Sequence, residues 1–220
     1  MKEWQTHWLE ASGDLSQQRG DITDGLSHVY RALVDWGEIP HLDILIRKNG
    51  ALSGGELAVS GFSYGPALFE ISLDREAEHE PARLRAEVAR TALHEIHHCL
   101  RMRGPGYGET LGEALVTEGL AGQFVRHLLA TEPEPWESAL HRDALRSSAV
   151  RAETLASYEY SHPEWFFGRG ELPNWFGYSL GYQMVESWLR TVSPIDRSSW
   201  INVDAEEVID AAIKDGLIQR

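Results

Sequence analysis

Between Asp21 and Gly37 the apolar residues Ile22, Leu26, Val29, Tyr30, Leu33 and Trp36 recur every three or four positions. That is the period of one helix face, and it predicts an amphipathic helix with Asp21 as its cap. Pro40 ends the segment. The pattern then changes period. In HLDILIR, Leu42, Ile44 and Ile46 alternate with other residues, a strand signal. Residues 49–55 (NGALSGG) carry turn chemistry. ELAVSGFSY and ALFEISL read as two further strands around Gly65 and Pro66.

Past Leu73 the helical period returns and dominates. It places helices near 81–102, 109–130, 137–156, 176–191 and 204–214, with Pro133 and Pro135 separating the second from the third. The stretch 158–175 (YEYSHPEWFFGRGELPNW) is aromatic, rich in Gly and Pro, and irregular. The expected class is α+β: a small N-terminal sheet packed on a helical body. We expect a single domain over 1–220, with helix and sheet at about 21–75 and a mainly helical part at about 80–215.

Charge narrows the partners. The formal net charge is −14, so phosphate backbones and anionic membranes would repel the chain, and neither nucleic acid nor membrane is an expected partner. There is one cysteine, Cys99, which rules out a disulfide within the chain and makes a reducing compartment the default. Met1–Glu10 holds no basic segment followed by an apolar one, and no run approaches the ~18 apolar residues of a membrane helix. The expected address is the cytoplasm.

The chemistry concentrates in His94-Glu95-Ile96-His97-His98, an HExxH run inside the predicted helix 81–102. Four residues make just over one turn, so the imidazoles of His94 and His98 project from one face and can share a metal ion. Glu95 is turned about 100° away, where a carboxylate can reach a metal-bound water without ligating the metal. His97 points aside from both ligands and reads as a spectator or a supporting group. Val88, Ala89, Ala92, Ile96, Cys99 and Leu100 form the apolar face of this helix. His94 and His98 fall opposite, with Glu87, Arg90, Thr91 and Arg101, on a side expected to face a cleft or solvent. The bland reading is a pair of solvated surface histidines.

A zinc hydrolase usually has three protein ligands and one water. An HExxHxxGxxH continuation would need Gly at 101 and His at 104, but the chain has Arg101 and Gly104. A cysteine ligand is excluded because Cys99 lies on the far side of the helix. A carboxylate from the next helix remains. In ETLGEALVTEGLAGQFVRHLLA, Glu118 falls among Leu111, Ala114, Leu115, Gly122, Val125 and Leu129. A carboxylate in an apolar stripe is costly without a cation, so Glu118 is the expected third ligand. The alternative is a buried ion pair with Arg90 or Arg101. Gly119 and Gly122 would let another helix approach closely.

HEIHH followed by TEGLA resembles the gluzincin (thermolysin-like) zinc peptidases, whose third ligand is a Glu at about this separation. ALHEIHH, EALVTEGLA, HPEWFFG and NWFGYSLGYQMV together are most similar to the bacterial predicted Zn-dependent protease family of unknown function, in which heat-shock-related members occur. The resemblance spans roughly residues 80–190. It implies a zincin-like fold, Zn²⁺ as cofactor, a peptide or protein substrate, and peptide-bond hydrolysis with Glu95 as general base. Two positions depart from gluzincins. The Asp often found four residues after the ligand Glu is Gly122 here, so an acceptor for a ligating His must come from elsewhere, with Glu113, Glu109 or a carbonyl as candidates, or be missing. The GxMEN motif of aminopeptidases is also absent.

A donor opposite the metal is needed for the developing oxyanion. Tyr178 and Tyr182, one turn apart, fit the gluzincin pattern, while the alternative makes both core tyrosines packed through Gly177 and Gly181. For His162 a loop-structuring hydrogen bond is the expected role. By analogy with thermolysin-like enzymes, GFSYGPALFEISL is a candidate edge for an extended peptide. The main rival function is a non-proteolytic zinc-binding regulatory or interaction protein of the same fold. A further one is hydrolysis of a non-peptide amide. Glu95 favours an enzyme, because a purely structural zinc site has no use for that base.

Overall fold

The computed structural model describes residues 1–50, 57–192 and 194–220. It is an α+β protein, as the change of period implied, and it divides into two compact units, Met1–Arg103 and Gly104–Arg220. The turn read at 49–55 lies, from residue 51 on, outside the described residues.

The first unit runs β1 (Trp4–Leu9), a 3-10 turn, α1 (Arg19–Trp36), β2 (Leu42–Asn49), β3 (Val59–Gly65), β4 (Leu68–Asp74) and α2 (Pro81–Arg101). The four strands form one sheet in the order β1-β2-β4-β3. β1, β2 and β4 run parallel to one another, and β3 is antiparallel to β4 at one edge. The β3–β4 turn is tight, at Pro66 and Ala67, and the register slips between Ser63 and Gly65. Ile44 and Ile46 of β2 and Phe69, Ile71 and Leu73 of β4 are fully buried. Each such side chain contributes about 1.5–3 kcal/mol relative to exposure. Against β3 and β4 lies α2, which also packs on α1.

Two local expectations needed correction here. Helix α1 begins at Arg19, so Asp21 is not its cap; it sits in the first turn and pairs with Arg85 of α2. Strand β1 had no clear sequence signature because Trp4 is its sole buried residue, as befits an edge strand.

The second unit is helical: α3 (Leu111–Leu129), α4 (Arg142–Ser147), α5 (Ala152–Leu155), α6 (His162–Phe167), α7 (Phe176–Leu189), α8 (Arg197–Asn202) and α9 (Ala205–Lys214). Its core gathers Leu115, Leu120, Phe166, Leu180, Met184, Trp188 and Val208. The single helix expected over 137–156 is replaced by α4 and α5. Ala149, at φ 56°, is left-handed and cannot continue a right-handed helix. Within the stretch read as irregular, Ser161 accepts from the amide of Glu164 and starts the short α6.

Helices α3 and α7 cross at very close range. A Cβ on Gly119 would lie 2.2 Å from the carbonyl oxygen of Gly181, and one on Gly181 would lie 2.1 Å from that of Leu115. Backbone cannot yield as a side-chain tip does. Gly119→Ala is therefore expected to cost about 3 kcal/mol, the upper end for overpacking, read as a lower urea midpoint. An unchanged midpoint would show that the crossing relaxes freely.

Candidate metal centre

The motif helix α2 is set by its start. The carboxylate of Glu80 accepts from the amides of Ala82 and Arg83 at 3.0 and 2.8 Å, and Pro81 takes the first helical position. Three and a half turns later His94 and His98 stand one above the other, with ring centroids 4.7 Å apart and planes at 82°. The side of the helix expected to face a cleft or solvent is half-buried at Glu87, Arg90, Thr91 and His94 and buried at His98 and Arg101. Every residue from Glu95 to Arg101 is buried, with Glu95 6% and His98 5% exposed. A solvated surface pair is thus not what the chain builds. Polar groups buried to this extent must be compensated by hydrogen bonds or charge. His97 is fully buried beside His98, centroid to centroid 6.4 Å.

Glu95 is held by the edge strand of the sheet. The hydroxyl of Ser63 lies 2.8 Å from Glu95 Oε2 and 2.9 Å from the Glu95 carbonyl oxygen, so it can donate to either. Two residues back on the same strand face, Gly61 leaves the space into which the Glu95 side chain fits. Cys99 Sγ is 3.7 Å from the same hydroxyl. Burial pushes the Cys99 thiol up to about 11, so it stays protonated at neutral pH.

In the second unit, α3 opens with a capping box between Thr110 and Glu113. Glu113 Oε2 accepts from the amides of Glu109 and Thr110 and from the Thr110 hydroxyl. That oxygen serves the helix start, and Glu109 is exposed. Two turns on, Glu118 is 8% exposed within a helix whose residues Leu111–Val125 are all buried except Glu113. The Tyr107 hydroxyl donates to Glu118 Oε1 at 2.6 Å, and Thr117 ties the Tyr107 carbonyl to the same helix at 3.0 Å. Burial, and then the Glu118 charge, hold the Tyr107 phenol well above its ordinary range. Tyr160 is raised for the same two reasons. Burial lowers His162, with Glu118 opposing in part, and its ring stacks on Phe166 at 4.4 Å.

Tyr178 is half-buried, edge-on to Phe166 at 5.0 Å, and within electrostatic reach of Tyr107. Tyr182 is 2% exposed, with its ring against Gly122. Burial and then Glu137 push its phenol up to about 12, although Arg126 works the other way. Gly122 is thus lined by Tyr182 and by the buried carboxylate of Glu137, whose Oε1 would be 2.1 Å from a Cβ there.

His94, His98 and Glu118 form a group that could hold a metal ion, each offering one ligand atom, all within 4.8 Å of one another. Two imidazole nitrogens and a carboxylate oxygen are a donor set that suits Zn²⁺. Among the described residues this is the one such group of three or more His, Cys, Asp or Glu. Also among them, no helix is long and apolar enough to cross a membrane. Sequence reasoning did not find Tyr107, Gly61 or Ser63. Each acts on its carboxylate from a different element, and no spacing rule links them.

A family model described as "Predicted Zn-dependent protease (DUF2268)" matches residues 60–210, from β3 into α9. No curated protein and no solved structure matches the chain.

Proposed function

From the premise that this chain belongs to the family of predicted Zn-dependent proteases, we propose that it is a zinc-dependent metallopeptidase of the gluzincin type. His94, His98 and Glu118 hold the metal and Glu95 is the general base. The reading is carried by the grouping of those three ligand atoms within 4.8 Å. It is supported by the position of Glu95 next to His94, buried yet not one of the group.

Bound Zn²⁺ supplies Lewis acidity toward a water and a carbonyl oxygen. The protein's own groups do the rest. Glu95 takes the proton of the attacking water on its carboxylate and returns it to the leaving nitrogen. Of the two tyrosines proposed to donate to the developing oxyanion, Tyr178 is the better placed. It acts electrostatically on Tyr107, which donates to Glu118, whereas the charges felt by Tyr182 are those of Glu137, Arg126 and Glu186. The antiparallel edge strand β3, next to α2, is the proposed rail for an extended peptide.

Tyr107 orients the ligand carboxylate. Removing such a hydrogen-bond partner typically weakens metal affinity about 10–100-fold. Tyr107→Phe is expected to do so in a competition titration against a chromophoric chelator, and unchanged affinity would strip Tyr107 of this role. The proposal as a whole is tested by zinc analysis of the purified protein and a peptide-library digest. Stoichiometric zinc with cleavage that stops on chelation supports it. A zinc-loaded protein that cuts nothing would return the chain to the class of zinc-binding regulatory proteins.

A further inference from the structure

Strand β3 presents two residues of one face, Gly61 and Ser63, to a single side chain on α2. On Gly61, a Cβ would meet Glu95 Cγ at 2.4 Å and Oε1 at 2.5 Å, so any larger residue must displace the carboxylate. On Ser63, the hydroxyl lies 2.8 Å from Oε2. The alternate residues Phe62 and Tyr64 point to the other side and are 60% and 53% exposed. One strand thus makes room for one carboxylate oxygen and ties down the other. A long, flexible Glu side chain loses its rotamer freedom in such a seat before any substrate arrives.

We propose that Gly61 and Ser63 form a built seat for the Glu95 carboxylate, with Ser63 as a positioning residue that holds the base in its working rotamer. The inference rests on the proposed peptidase reading for its catalytic part. The seat belongs to the strand at the edge of the sheet among the described residues, the proposed rail for an extended chain. A substrate laid along β3 would then be registered against the base by the strand that holds it. Ser63 itself need not touch substrate. Its removal should slow turnover without altering binding of peptide or metal.

The experiment uses the full-length, zinc-loaded protein and a quenched fluorescent peptide chosen from the library digest. Ser63→Ala and Gly61→Ala are each expected to lower kcat about tenfold or more, because a misplaced general base forfeits part of the roughly 10²–10⁴-fold it supplies. KM and bound zinc should stay as in wild type, and Ser63→Thr, which keeps the hydroxyl, should restore most of kcat. In a Glu95→Gln background neither substitution should lower the residual rate further, since there is no base left to misplace. Independently of activity, the metal-free protein is unfolded in urea as wild type, Ser63→Ala, Glu95→Ala and the double variant. The effect of Ser63→Ala on the unfolding constant should be about tenfold smaller when Glu95 is absent, as for a hydrogen bond to a charged group. Additive effects in that cycle, or wild-type kcat in both Ser63→Ala and Gly61→Ala, overturn the seat. If the zinc-loaded wild type cleaves nothing, the peptidase reading fails, and the unfolding cycle alone then decides whether the seat exists.

Discussion

Glu95→Gln is expected to keep its zinc and lose its turnover. The substitution changes one atom of the side chain. Its amide oxygen can still accept from Ser63, which lies 2.8 Å from Oε2 in the native chain, so the side chain should stay in place. What disappears is the ability to take a proton. A positioned general base contributes roughly 10²–10⁴-fold to rate, and kcat should fall by that factor with KM little changed. Zinc stoichiometry should match wild type, because Glu95 is not one of the three grouped ligand residues. Both quantities are read on one preparation, by metal analysis and by peptide cleavage. Full activity in Glu95→Gln would remove the base from the proposal. Loss of zinc along with activity would make Glu95 a ligand or a structural support.

The second large effect is on the metal itself. Glu118→Ala deletes one of three ligands, and zinc affinity should fall by more than the about 10–100-fold that loss of a mere supporting partner costs. A companion variant separates ligation from packing. Glu118 is 8% exposed and accepts the Tyr107 hydroxyl at 2.6 Å. The Ala variant therefore leaves that hydroxyl without its acceptor, at a cost of about 1–3 kcal/mol. Glu118→Gln keeps both volume and acceptor but has no negative charge for the cation. It should fold like wild type and still bind zinc weakly, as followed by chelator competition beside urea unfolding. Undiminished zinc in both variants would refute the assignment of Glu118 as ligand.

What could be read from the chain alone was whatever depends on short separations. The periods of Ile22–Trp36 and of Leu42–Ile46 located α1 and β2, because side-chain direction repeats with local geometry. The same rule put His94 and His98 on one helix face and Glu95 off it. Glu118 stood out because a carboxylate amid Ala114, Leu115, Gly122 and Val125 contradicts its own helix. Local reasoning failed where a chain direction changes without a sequence marker, as at Ala149, and where one buried residue is all a strand shows, as in β1.

Tertiary structure alone decided the surroundings of each chemical group. A helical wheel assigns residues to directions but cannot say what lies there, so it placed Ile96, Cys99 and Leu100 toward the core but gave no sign that Glu95, His97, His98 and Arg101 would be buried as well. Ser63 meets Glu95 across 32 positions of sequence, and Tyr107 meets Glu118 from the loop before α3. Such contacts exist because strands and helices pack, and packing is settled by the sum of many weak, directionless apolar contacts rather than by any one spacing. The chain's order of residues therefore dictated which groups could do chemistry, and the packed fold dictated how firmly each is held.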